Sequence, residues 1–151
     1  MHHQFLRFLA LLFIALVVLQ SILGGALFIA LAGWNPHDIV LYYSQKSLHG
    51  LIETLAPHTL FISIALMGTL HFLGFISTIS EKKKQLFIHG LFGLFAIDQS
   101  APLFIFLGLD EFAYVKLVGF VSFEVVLGWV FIIIFRESLR DLSFYHSDVQ
   151  T

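Results

Sequence analysis

The chain has no cysteine. That absence excludes disulfides, thiolate metal sites, covalently attached c-type haem and sulfur-ligated iron–sulfur clusters. A metal or haem would have to be held by His, carboxylate or Met. Charge is nearly as scarce. Only 12% of the 151 residues are Asp, Glu, Lys or Arg, about half the share of a soluble domain. The formal net charge of −2 gives no basic surface, so nucleic acid is not a partner. Phosphate-cradling glycine loops, a nucleophile elbow and the paired-His zinc motif are all missing. Regular alternation of polar and apolar residues is also missing, which argues against strands and against a β-barrel.

What remains is apolar: 58% of the residues are hydrophobic, and 18 are Phe. About 20 apolar residues in a helix cross a bilayer. Four runs qualify, over residues 5–32, 55–79, 86–109 and 114–135. The first is about twice as long as a signal-peptide core, so it reads as a span. Residues 33–50 form the long connection. Trp34, Tyr42 and Tyr43 suit the headgroup level there. Asn35-Pro36 is a turn signal, and a short interfacial helix is expected over Asp38 to Gln45. The other connections are tight, so neighbouring spans run antiparallel. The polar tail, Asp141 to Thr151, is expected to fray.

The fold expected is therefore all-α, a single-domain integral-membrane four-helix up-down bundle. Orientation follows the basic residues. With both termini cytoplasmic, Arg7, Lys82, Lys83, Lys84, Arg136 and Arg140 lie inside, and only Lys46 and Lys116 lie outside. The acidic connection Asp110-Glu111 suits the outer face.

Polar groups inside a bilayer cost about 2.5–3.5 kcal/mol each on insertion scales, so each needs a reason. A rise of about 1.5 Å per residue puts Gln20 about 18 Å deep, His71 about 16 Å, and Asp98 and Glu124 about 13 Å. Four spans thus bring a polar group near the midplane, with Gln99 and Ser100 beside Asp98 and Ser122 near Glu124. The expectation is one shared core cluster. Asp98, Glu124, Gln20 and Gln99 are candidates for a proton relay, and His71, Asp98, Glu124 and Glu53 for a metal site. Two carboxylates in a dry site tend to share a proton. A hydrogen-bonded knot that only fixes helix register is the structural alternative.

Nearer the outer surface lie His49, Glu53 and His58. Glu53 and His71 are five whole turns apart and share a stripe. Pro57 frees a backbone carbonyl near residue 53. His71, with His58 or His89, is the candidate ligand set for haem b. The 13 residues from His58 to His71 turn an ideal helix about 220°, so that pair needs distortion, and a haem at His71 needs His89 or a second copy. His2, His3 and His146 carry little information.

The second span, with Leu51-Ile52-Glu53, Ala56-Pro57-His58 and His71-Phe72, resembles a family of small four-helix bacterial inner-membrane proteins with a Glu…His…His second span. Asp98 followed by Ser100, and Phe112-Ala113-Tyr114, resemble it too. Ala56 stands where that pattern has its first His. The resemblance implies a fold and a bacterial inner membrane, and no reaction.

Three functional expectations follow. The first is a cofactor protein, with haem b or a transition metal serving electron or proton transfer near the quinone pool. The second is a non-enzymatic accessory or assembly subunit of a larger membrane complex. The third is a proton or ion pathway in a homodimer or larger oligomer, because four helices leave little room for a pore in one protomer.

Overall fold

A computed structural model describes residues 2–147, with side chains described over 8–139. The expectations for Arg7 and Arg140, the side chains of His2, His3 and His146, and residues 148–151 lie outside the described residues. Five helices follow one another: α1 (His2–Ala32), α2 (Pro36–Ser44), α3 (Leu48–Gly74), α4 (Glu81–Phe106) and α5 (Phe112–Ser147). No strand occurs among the described residues. α1, α3, α4 and α5 are long and apolar enough to cross a membrane. The all-helical four-span architecture is as the sequence implies.

The helix ends explain the boundaries. Gly33 (φ 75°) and Gly108 (φ 88°) take left-handed conformations that close α1 and α4. α2 starts at Pro36 rather than Asp38. Asn35 caps it, its Oδ1 accepting from the His37 N–H at 3.1 Å, and proline suits the first helical position. Ser47 caps α3, its Oγ accepting from the Gly50 N–H at 3.1 Å. α3 therefore begins seven residues before the expected span, taking in His49 and Glu53, and it ends at Gly74 instead of residue 79.

α4 likewise begins at Glu81, inside the expected polar turn. Its first turn is used structurally. Buried Lys84 donates from Nζ to the Gly74 carbonyl at 3.0 Å, capping the end of α3, and meets Glu81 Oε1 at 2.8 Å. α5 runs on through Ser147, past the expected end at residue 135 and into the tail expected to fray. Residues such as Arg136, Glu137 and Leu139 are good helix formers that need no apolar environment.

Hydroxyls inside α3 bond back to their own helix. Thr54, Ser63 and Thr69 donate to the carbonyls of Gly50, Thr59 and Ala65 at 2.8, 2.6 and 2.8 Å. This satisfies them without a partner helix. One core cluster joins Ile14, Leu66, Leu73, Leu91, Phe123 and Val130. A second joins Ile39 and Tyr43 of α2 to Ala32, Leu51, Ile105 and Ala113. α2 thus lies across one end of the bundle. α4 and α5 form the closest helix pair, and α1 packs loosely. Exposed Met67, Val125 and Trp129 face outward, as lipid-facing side chains do.

Candidate membrane cavity

Below α2, the four long helices surround a partly enclosed cavity of about 490 Å³. α4 contributes only Asp98 and Gln99. α1 supplies Leu16, Gln20, Leu23 and Leu27, and α3 supplies Leu55, His58, Ile62 and Ala65. From α5 come Lys116, Phe120, Phe123 and Glu124, at spacings of four, seven and eight residues. Such spacings put side chains on one helical face. Leu16, Leu23, Leu27 and Phe61 line it and are each at least half exposed, so the cavity opens sideways between α1 and α3.

A buried ion pair forms part of its wall. Lys116 Nζ lies 2.7 Å from Asp98 Oδ1, and it donates to the Asp98 carbonyl at 3.2 Å. Both side chains are under a tenth exposed. Gln99 Nε2 donates to the other carboxylate oxygen at 2.8 Å, and the Thr59 hydroxyl donates to Gln99 Oε1 at 3.1 Å. The chain Thr59–Gln99–Asp98–Lys116 therefore ties α3, α4 and α5 together. Phe28 of α1 lies 5.5 Å from Lys116 Nζ, within cation–π range. Gly119 faces Asp98 where α4 and α5 meet: a Cβ there would stand 3.6 Å from the Asp98 Cα, ordinary contact distance, so the position has room for a small side chain and no more.

This corrects two expectations. Lys116 is not an outer-surface charge; it turns inward and is buried. Asp98 is paired with Lys116 and Gln99, not with Glu124 as the shared carboxylate pair required. The sequence did carry a signal for Lys116. It stands eight residues from Glu124, on the same face of an apolar run.

Glu124 sits about 7.5 Å along α5 from Gly119, on the side away from α2. It is half-buried, lies beside the Ser21 hydroxyl, and borders both the cavity and a groove of about 490 Å³ between α1 and α5. Gln20 and Gln99 line the cavity, and His58 stands at its mouth. Every buried side-chain nitrogen or oxygen among the described residues has a hydrogen-bond partner.

The other candidates lie elsewhere. His71 is exposed and packs edge-on against Phe75, with centroids 4.9 Å apart. Glu53 is mostly exposed and meets His49 Nε2 at 3.1 Å. Glu53 and His71 do share a stripe, but it faces away from the cavity. His89 is exposed, its Nδ1 2.7 Å from the Gln85 carbonyl. Ser100 is exposed and bonds to the Ile97 carbonyl. Of His58, His71 and His89, only His58 lines the cavity. No group of three or more metal-ligating side chains occurs among the described residues. The set His71, Asp98, Glu124 and Glu53 is not brought together.

Tyr43 closes the cavity from α2, which does not cross the membrane. Burial, then the negative charge of Asp98, then Tyr42 push its hydroxyl well above the usual tyrosine range. The folded chain thus holds this proton more tightly than the unfolded one. The resulting stability is fully present below about pH 10 and is lost as pH rises beyond it. Thermal midpoints in detergent should fall between pH 9 and pH 11 on the order of one tyrosine ionisation more steeply than in Tyr43→Phe. Equal slopes would show that Tyr43 is not shielded.

A family model described as a transmembrane helical domain, Aq_1264_TM, matches residues 33–143. The chain belongs to that family. The match runs from the end of α1 through α2, α3 and α4 and most of α5, and so includes Asp98, Lys116, Tyr43 and Glu124. α1, which supplies Gln20 and Ser21, precedes it. No curated protein and no solved structure matches the chain. As a family member, it is a multi-pass membrane protein in contact with lipid.

Proposed function

We propose that the protein binds a lipid-soluble amphipathic molecule, with its polar head in the cavity and its tail leaving between α1 and α3. One observation carries this reading: an apolar cavity of about 490 Å³ that opens sideways and holds a few convergent polar groups. Small-molecule sites are of this size and kind. The Asp98–Lys116 pair is the fixed wall, Gln99 and Tyr43 offer further hydrogen bonding, and Gln20 and Glu124 lie deeper. Quinones belong to this class of ligand. The site resides in a bacterial inner membrane, with both termini in the cytoplasm. With Lys116 turned inward, Lys46 is left as the outer cation against Lys82, Lys83 and Lys84 at the turn between α3 and α4.

An accessory role in a complex is the second reading, favoured by the groove that α1 and α5 form at Ser21, Gly25 and Gly128.

Gly24→Phe tests the first reading. Gly24 lines the cavity, and a Cβ there meets nothing within 4 Å. The Cβ has room, and the ring beyond it is expected to take up ligand space. Saturable binding of a short-tailed quinone analogue to proteoliposomes should weaken by about tenfold or more, equivalent to about 1.4 kcal/mol. Unchanged binding in a folded Gly24→Phe protein would place the ligand elsewhere.

A further inference from the structure

The charges around the cavity do not balance. Asp98 and Lys116 neutralise each other at 2.7 Å. Glu124 has no Lys, Arg or His within ion-pair distance among the described residues. A carboxylate in a low-dielectric wall is met either by a proton or by a mobile cation. The surroundings suit a particular cation. Phe28, Tyr42, Tyr43, Phe61, Phe120 and Phe123 line the same space. Aromatic faces attract cations, most strongly where water is excluded. Lys116 near the Phe28 ring already uses that attraction.

We propose that the cavity takes a hydrophobic monovalent cation, an alkyl- or aryl-substituted ammonium, in exchange for a proton on Glu124. This rests on the cavity being a ligand site and names the ligand's charge. The exchange balances: Glu124 as carboxylic acid gives up one proton, the carboxylate receives one cation, and the net charge of the site is unchanged. A small inorganic cation would not use the apolar walls. An anion would meet two carboxylates and a lysine already paired.

Several groups line the cavity with Glu124. Gln20 and Ser21 of α1 are uncharged. Tyr42 and Tyr43 come from α2, His58 from α3, Asp98 from α4 and Lys116 from α5. Asp98 and Lys116 hold each other, and Tyr43 ionises only above the usual tyrosine range. His58, at the mouth, is the other ionisable group on the path and is tested separately.

Equilibrium binding of radiolabelled tetraphenylphosphonium to the detergent-purified full chain, from pH 5 to pH 9, tests this. Affinity should rise about tenfold per pH unit until Glu124 is ionised, with release of up to about one proton per cation bound. Glu124→Gln should lose at least about tenfold in affinity and all pH dependence, while Glu124→Asp should retain both. Glu124→Asp also guards against a folding defect in Glu124→Gln. PH-independent binding, or pH dependence that vanishes in His58→Gln and survives in Glu124→Gln, would overturn the proposal. The neutral quinone analogue binding while the phosphonium does not would overturn it and leave the cavity reading standing. Neither probe binding would overturn both.

Discussion

Replacing Lys116 with Met is expected to cost about 3–5 kcal/mol of stability, the usual penalty for stripping one partner from a buried ion pair. The penalty comes from what is left behind. Asp98 is under a tenth exposed, and Lys116 is its cation at 2.7 Å. Without it, the carboxylate keeps only the Gln99 amide at 2.8 Å. Asp98→Asn should cost a similar amount, because Lys116 is then the orphan. The double variant Asp98→Asn/Lys116→Met should recover most of the loss, since a neutral pair needs no compensating charge. A double-mutant cycle, read from unfolding in mixed micelles of increasing denaturing detergent, isolates the coupling. Singles close to wild type, or a double loss equal to the sum of the two, would mean the charges are solvated and that Lys116 points outward after all.

The second large effect belongs to Gly119. The α4 backbone at Asp98 stands 3.6 Å from where a Cβ would be, ordinary contact distance, so Gly119→Ala should be tolerated. Gly119→Leu adds branched carbons in the direction of Asp98 and has to separate α4 from α5. Overpacking of this sort costs about 1–3 kcal/mol. Here it also stretches the Asp98–Lys116 contact, so the loss should reach or exceed the top of that range. Thermal unfolding in detergent should rank wild type and Gly119→Ala together, with Gly119→Leu well below. If Gly119→Leu matched Gly119→Ala, the helices would not approach closely there.

Much of the fold is legible in the sequence because lipid imposes a simple demand: about 20 apolar residues per crossing. The helix limits are less legible. Hydropathy marks where apolar residues stop, whereas Asn35, Ser47 and the first turn of α4 decide where hydrogen bonding starts. The candidate site is half legible, for a geometric reason. Rise along a helix gives depth, and it predicts Asp98 level with Glu124; in the structure Asp98 stands opposite Gly119, about 7.5 Å along α5 from Glu124. Rotation about the axis gives facing, which depends on the neighbours a helix finds. Gln20, Gln99, Asp98, Glu124 and His58 all border the cavity, but His71 turns out toward lipid with Glu53. Lys116 was missed for a different reason. Lysines near helix ends usually extend toward water. This one extends inward, where the Asp98 carboxylate and carbonyl of the neighbouring helix receive it.

The chain's central feature is a cavity open to lipid, and a photoactivatable hydrophobic amphiphile in proteoliposomes tests it most directly. After illumination, mass spectrometry locates the labelled residues. Labelling should concentrate on Leu23, Leu27, His58 and Phe61 at the mouth, saturate with dose, and disappear when unlabelled amphiphile is added in excess. Uniform, non-saturating labelling of outward residues such as Met67, Val125 and Trp129, with the mouth no more reactive than the rest, would contradict the account.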